Sequence, residues 1–142
     1  MLFIFDMDNV LYDYHWRDRM ASLTEVTGMD FHELRRRWWH DEGEWQAEAG
    51  NPDTGDEYIA RVNEAFGSAI TRQEWVEMRK QAMVFRPEVA EAAAFAKKHG
   101  DLTLLTNNGM LIGEHLQEVA PHLVQFKGDL HHNSTRICFK TK

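Results

Sequence analysis

The sequence predicts an α/β fold, a parallel sheet of about three strands interrupted by a helical insert, and three observations lead to it. An apolar run at the N terminus ends abruptly in two carboxylates. A long stretch follows in which helix-start signals recur. Strand and helix then alternate up to about residue 126, as they do where parallel strands are joined by crossover helices.

Residues 2–5, Leu2-Phe3-Ile4-Phe5, are a run of apolar side chains without alternation. Such a run predicts a strand covered on both faces, and Asp6 ends it. From His15 to about Met83 the pattern is helical, with Asp30 and Glu33, Thr54 and Glu57, and Thr71 and Glu74 at capping-box spacing. Gly28, Gly50-Asn51-Pro52 and Gly67 separate the helices. All five tryptophans, Trp16, Trp38, Trp39, Trp45 and Trp75, lie in this stretch, which predicts a small core of its own. Pro87 at a first turn, Glu88 beside it, Lys97, Lys98 and His99 in a last turn and Gly100 beyond predict one more helix. Leu102 to Leu105 is a second buried strand, Leu111 to Ala120 a helix closed by Pro121, and Leu123 to Phe126 a third strand. The division is therefore residues 1–14 and 84–142 as a partial α/β core, with 15–83 as the helical insert.

Composition narrows the function. At 142 residues, with 43% hydrophobic and 11% aromatic side chains, the chain can bury a core. Sixteen basic residues against 23 acidic ones give a net charge of −7, which repels nucleic acid and anionic lipid. Nucleic acid and membranes are thus not expected partners. One cysteine, Cys138, excludes an internal disulfide framework and fits a reducing cytoplasm. The N-terminal apolar run is too short for a signal peptide, and no run approaches the ~18 residues of a membrane span.

The chemistry centres on Phe3-Ile4-Phe5-Asp6-Met7-Asp8-Asn9-Val10-Leu11, where two carboxylates stand two residues apart just past the carboxyl end of the first strand. Ligands of open α/β sheets bind at that end. Two such carboxylates can share a hard divalent cation, and magnesium suits oxygen ligands. One carboxylate can attack phosphorus while the other protonates the leaving alcohol and then activates water. A bare pair of aspartates is more often a strand end than a site. The surroundings reverse this, because DMDNVLYD after an apolar strand is similar to the first motif of the haloacid-dehalogenase (HAD) superfamily. Leu104-Leu105-Thr106-Asn107-Asn108-Gly109 resembles its second motif, and the helical insert stands where the family's cap is found. The resemblance implies a HAD-like sheet with a helical cap, and a magnesium-dependent hydrolase of small phosphate monoesters, with a lean towards sugar phosphates. It implies Asp6 as nucleophile, Asp8 as acid/base, both as metal positions, Thr106 as a hydroxyl contact to the phosphoryl group, and the backbone of Asn107 and Asn108 as amide donors. A phosphoryl transition state spreads charge over its equatorial oxygens, so preorganised donors there are sensible.

The family's third motif is a lysine, for which Lys140 or Lys142 in STRICFKTK stands as candidate. Its fourth, an acidic pair completing the metal site, has no counterpart before the last residue. The expectation is either a longer protein or another chain over the edge of the first strand, since a bare apolar edge invites aggregation. On this reading the 142 residues alone show little phosphatase activity, and a version extended through the fourth motif is active. Two rivals stand beside it: a haloacid dehalogenase, against which Asp8 argues, and a non-catalytic HAD-fold phosphate-binding product. The run Leu34-Arg35-Arg36-Arg37-Trp38-Trp39-His40 reads as a solvated helix face, His131 and His132 as an exposed loop, Cys138 as too isolated for a nucleophile, and for Trp16, Trp45 and Tyr12 core packing is preferred over a place in a pocket wall.

Overall fold

The computed structural model describes residues 1–39 and 43–126, and the statements that follow concern those residues. Strand β1 (Leu2–Phe5) leads through a turn to β2 (Tyr12–Tyr14). Helix α1 (Trp16–Thr27), α2 (Phe31–Leu34), a π-turn (Arg35–Trp39), α3 (Gly43–Glu48), α4 (Gly55–Phe66) and α5 (Arg72–Gln81) come next. The chain returns through β3 (Met83–Phe85) to α6 (Pro87–Lys97), β4 (Asp101–Leu104), α7 (Met110–Glu114), α8 (Leu116–Val119) and a 3-10 turn (Pro121–Phe126). Strands β1 and β4 pair in parallel, Leu2 opposite Asp101 through Phe5 opposite Leu104, and the Leu105 N–H extends the ladder to the Phe5 carbonyl at 2.8 Å. Strands β2 and β3 pair antiparallel, Tyr12 opposite Phe85, so the chain leaves for the helical stretch and returns from it through one two-stranded zip.

The start signals behave as their chemistry dictates. Asp30, Thr54 and Thr71 each accept a hydrogen bond from the N–H three residues on, and Gly28 and Gly67 close α1 and α4 in the left-handed conformation that glycine adopts without penalty. Only Thr71 and Glu74 complete the reciprocal box. Glu33 and Glu57 turn instead to Arg36 and Arg37 and to Arg61, one turn further along their helices.

Four expectations need correction. Residues 123–126 form no strand: Pro121 fixes its φ and offers no N–H to a ladder, and the Leu123 N–H bonds the Ala120 carbonyl at 3.0 Å in a 3-10 turn. The first strand is not covered on both faces, since Leu2 and Ile4 are 58% and 57% exposed; an all-apolar tetrapeptide hides the alternation. The helix expected over 111–120 is broken at His115, which leaves helical geometry between α7 and α8. The tryptophan-rich stretch has no separate core either: Trp38, Trp75, Tyr58 and Val62 belong to one buried cluster with Met7, Leu11, Leu102, Leu104 and Leu111. No helix is long and apolar enough to cross a membrane.

Candidate active site

The site begins where β1 stops. Met7 is fully buried and anchors the segment, leaving Asp6 and Asp8 on either side of it half-buried at the carboxyl end of the strand. The chain then doubles back. Asn9 sits at φ 58°, a left-handed conformation that asparagine tolerates, the N–H groups of Leu11 and Tyr12 both return to the Met7 carbonyl, and the Asn9 side chain receives the Tyr14 N–H at 3.2 Å. Asp6 accepts the Met7 N–H at 2.6 Å. This turn holds Asp8 over the neighbouring strand end.

Strand β4 delivers the second half. Thr106, only 5% exposed, lies two residues past its end, and Gly109 opens α7. A side chain at Gly109 would press on the Tyr58 ring, its Cβ 3.2 Å from the nearest carbon, so glycine lets this turn seat closely against α4. The Asn108 amide organises the crevice: its nitrogen donates to Asp8 at 3.1 Å and to the Thr106 hydroxyl at 2.8 Å, and its oxygen accepts from Arg79 at 3.2 Å. Only this orientation satisfies all three neighbours, because arginine only donates and a carboxylate only accepts. Thr106, having accepted, keeps its own proton for another oxygen. Asn107 turns away and donates to Glu48 at 3.2 Å.

Arg79, from the last turn of α5, supplies a cation that the motifs did not announce. Its Nη2 contacts both oxygens of Asp8 at 2.6 Å, the arginine side chain being 2% exposed and the aspartate 24%, and its guanidinium stacks 3.4 Å from the centre of the Tyr14 ring. The structure thus brings Asp8, Thr106 and Asn108 into one hydrogen-bonded network, places Asp6 at the adjoining strand end, and sends the Asn107 side chain elsewhere. Lys140 and Lys142 lie outside the described residues, as do His131, His132 and Cys138.

Above the network opens a cavity of about 460 Å³, lined by Asp8, Tyr14 and Asn108 together with residues of the helical stretch, among them Arg19, Glu48 and Arg79. Trp16 and Trp45 line it too, whereas Tyr12 is buried and shares its hydroxyl with His122. The Arg35–Trp39 run also departs from a wholly solvated face: Arg35 and Trp39 line the cavity and Trp38 is buried, while Arg36 and Arg37 are tied to Glu33 outside. Those two guanidiniums hold the Glu33 carboxyl down at about 2. Glu48 is pushed the other way, first by burial and then by the charges of Glu44 and Asp8, against the Asn107 hydrogen bond. Burial and Glu44 likewise raise Tyr58 well above the usual phenol, so it stays protonated and donates to Glu44 at 2.7 Å. Arg19 and Arg79 had a sequence signal, because each interrupts an apolar helical stripe, Trp16, Met20 and Leu23 for the one and Trp75, Val76 and Met78 for the other.

No protein-family model matches the sequence, and neither does any curated protein. Solved structures do match. A HAD family enzyme, BT-2542 from Bacteroides thetaiotaomicron, superposes as its magnesium complex with a TM-score of 0.74 at 15% identity, over 99% of this chain and 70% of that one. The same enzyme in complex with magnesium and inorganic phosphate gives 0.75 at 15% identity, over 99% and 71%. The likeness shows that the chain has the HAD fold.

Proposed function

Starting from a HAD fold, we propose that this chain is a magnesium-dependent hydrolase of small phosphate monoesters that works through an aspartyl-phosphate on Asp6. The observation that carries the reading is the network joining Asp8, Thr106, Asn108 and Arg79 at the carboxyl ends of two parallel strands, with Asp6 at the adjoining strand end and a cavity that Asp8, Asn108 and Arg79 line. The neighbour's complexes with magnesium and phosphate agree with it. Asp6 attacks the phosphorus, and the P–O bond to the alcohol breaks as Asp8, which must first take up a proton from solvent because it faces Arg79 as a carboxylate in the empty site, gives that proton to the leaving oxygen. Asp8 then takes a proton from water, whose oxygen attacks the phosphorus and releases Asp6 with inorganic phosphate. Thr106 offers its hydroxyl proton and Arg79 its charge to the phosphoryl oxygens. The helical stretch from 15 to 83 acts as the cap that keeps bulk water from this chemistry.

Asp6 and Asp8 are the carboxylates that would hold magnesium, and Asp6 is the freer, since one of its oxygens receives only the Met7 N–H while both oxygens of Asp8 face Arg79. Among the described residues no group of three acidic, histidine or cysteine side chains surrounds them. Magnesium would neutralise phosphoryl charge there. The test is hydrolysis of an aryl phosphate at saturating magnesium by a version extended through the fourth motif, since the 142 residues alone are expected to show little turnover. Asp6→Asn and chelation by EDTA should each abolish turnover, and an Asp6→Asn protein as active as the parent would remove the proposed nucleophile.

A further inference from the structure

Asp8, Glu44 and Glu48 line the cavity against Arg19, Arg35 and Arg79, so charge alone selects neither an acid nor an amine as the leaving group. Each carboxylate also has a partner already: Asp8 meets Arg79, Glu44 accepts from Trp38 and Tyr58, and Glu48 accepts from Asn107. Most of the aromatic lining is occupied as well. Tyr14 lies under the Arg79 guanidinium, Trp16 leans on Phe31, and Trp39 stacks on Phe66. Trp45 is the exception. It lines the cavity yet is 72% exposed, and among the described residues its ring meets no other ring and no guanidinium. An indole left in water forgoes the burial that so large an apolar side chain ordinarily gains. Its helix also places it near the phosphate end. Glu44, Trp45 and Glu48 all turn to the cavity from α3, and Glu48 is tied through Asn107 to the turn that carries Thr106 and Asn108. Residues three apart on a helix have Cβ atoms about 5–6 Å apart, so Trp45 stands within one turn of that tie.

We propose that Trp45 stacks on the leaving alcohol, so that the substrates are phosphate monoesters whose alcohol carries an uncharged planar ring; this rests on the phosphatase reading of Asp6 and Asp8. A flat ring suits an open indole face, because two π systems in offset stacking gain beyond the area they bury. A polyol leaves that face unused and must share carboxylates that already accept from protein donors. The cavity, about 460 Å³, holds one such ring with its phosphoryl group.

Calorimetry on the 142-residue protein with magnesium, comparing phenyl phosphate with cyclohexyl phosphate, tests this directly. The probes have the same number of ring carbons, one ring flat and the other puckered, and at about pH 8 both are dianions. Phenyl phosphate should bind about threefold to tenfold more tightly, the gain of an aromatic pair beyond its buried area. Trp45→Phe should keep that preference, and Trp45→Leu should bring the two probes to within about 1.5-fold. Because Trp45 is so exposed, both variants should fold, which circular dichroism verifies. Equal affinity of the parent for both probes, or a preference retained in Trp45→Leu, overturns the proposal. So does tighter binding of glucose 6-phosphate than of phenyl phosphate. In each of these cases, displacement of the esters by inorganic phosphate leaves the phosphatase reading standing. Binding of phenyl phosphate that depends on Trp45 but is not displaced by inorganic phosphate supports the ring site and removes the phosphatase reading instead. Binding of none of these compounds overturns both.

Discussion

Asp8 and Arg79 depend on each other unequally. Arg79 is buried and Asp8 reaches solvent, so removing the carboxylate strands a buried charge, whereas removing the arginine leaves a carboxylate that water can still serve. Asp8→Asn should therefore cost on the order of 3 kcal/mol in urea unfolding, and adding Arg79→Met should recover part of that loss. Additive single losses would show that the pair is not coupled. Glu48 behaves oppositely, because burial and the charges of Glu44 and Asp8 raise its carboxyl above the ordinary range. A raised acid favours the fold while protonated and loses that contribution as pH rises through its folded value. Glu48→Gln should thus raise the melting temperature at pH 7 to 8, with the gain vanishing below about pH 4, the ordinary range of an unfolded glutamate; a gain constant with pH would contradict this. That Asp6, Asp8 and Thr106 stand at strand ends was legible because strand ends are local, whereas their proposed roles came from the family resemblance. Arg79 and Glu48 could not be assigned to the site, since their meaning comes from contacts 71 residues away for the Arg79–Asp8 pair and 59 for Asn107–Glu48.

Among the elements, α5 is the one whose beginning and end both matter to the site. Its complete capping box fixes the start and Arg79 marks the finish. Thr71→Ala should cost about 1 kcal/mol. Thr54→Ala should cost less, because Glu57 serves Arg61 and gives no return bond; equal losses in thermal unfolding would show that the reciprocal bond adds nothing. Helix starts were readable because a cap needs only residues within one turn. Strands β2 and β3 were not, for Tyr12–Tyr14 and Met83–Phe85 are three residues each and owe their form to each other. The same reason misplaced the strand expected at 123–126: an apolar run becomes a strand only where a partner ladder receives it.

At the scale of the whole molecule, the parallel pair and the long helical excursion were legible from the order of elements, but the continuity of the core was not. Tryptophans clustered in sequence suggested a separate nucleus, whereas burial joins them to Leu102, Leu104 and Met7. Helix α7 adds polar ties across the same boundary, Glu114 meeting Arg72 and accepting the Gly55 N–H at 2.8 Å. Thermal or urea unfolding should accordingly show one transition, coincident by tryptophan fluorescence and far-ultraviolet circular dichroism. Two separated transitions would mean that the helical stretch melts alone.

The Arg79–Asp8 pair also alters how the empty crevice looks from outside. A carboxylate that already carries its counter-ion casts little field, so Asp8 adds little to the repulsion that an approaching dianion meets. Added salt, which quiets exposed charges more than buried ones, should then change the arrival rate of phosphate less than the acidity of the whole chain would suggest.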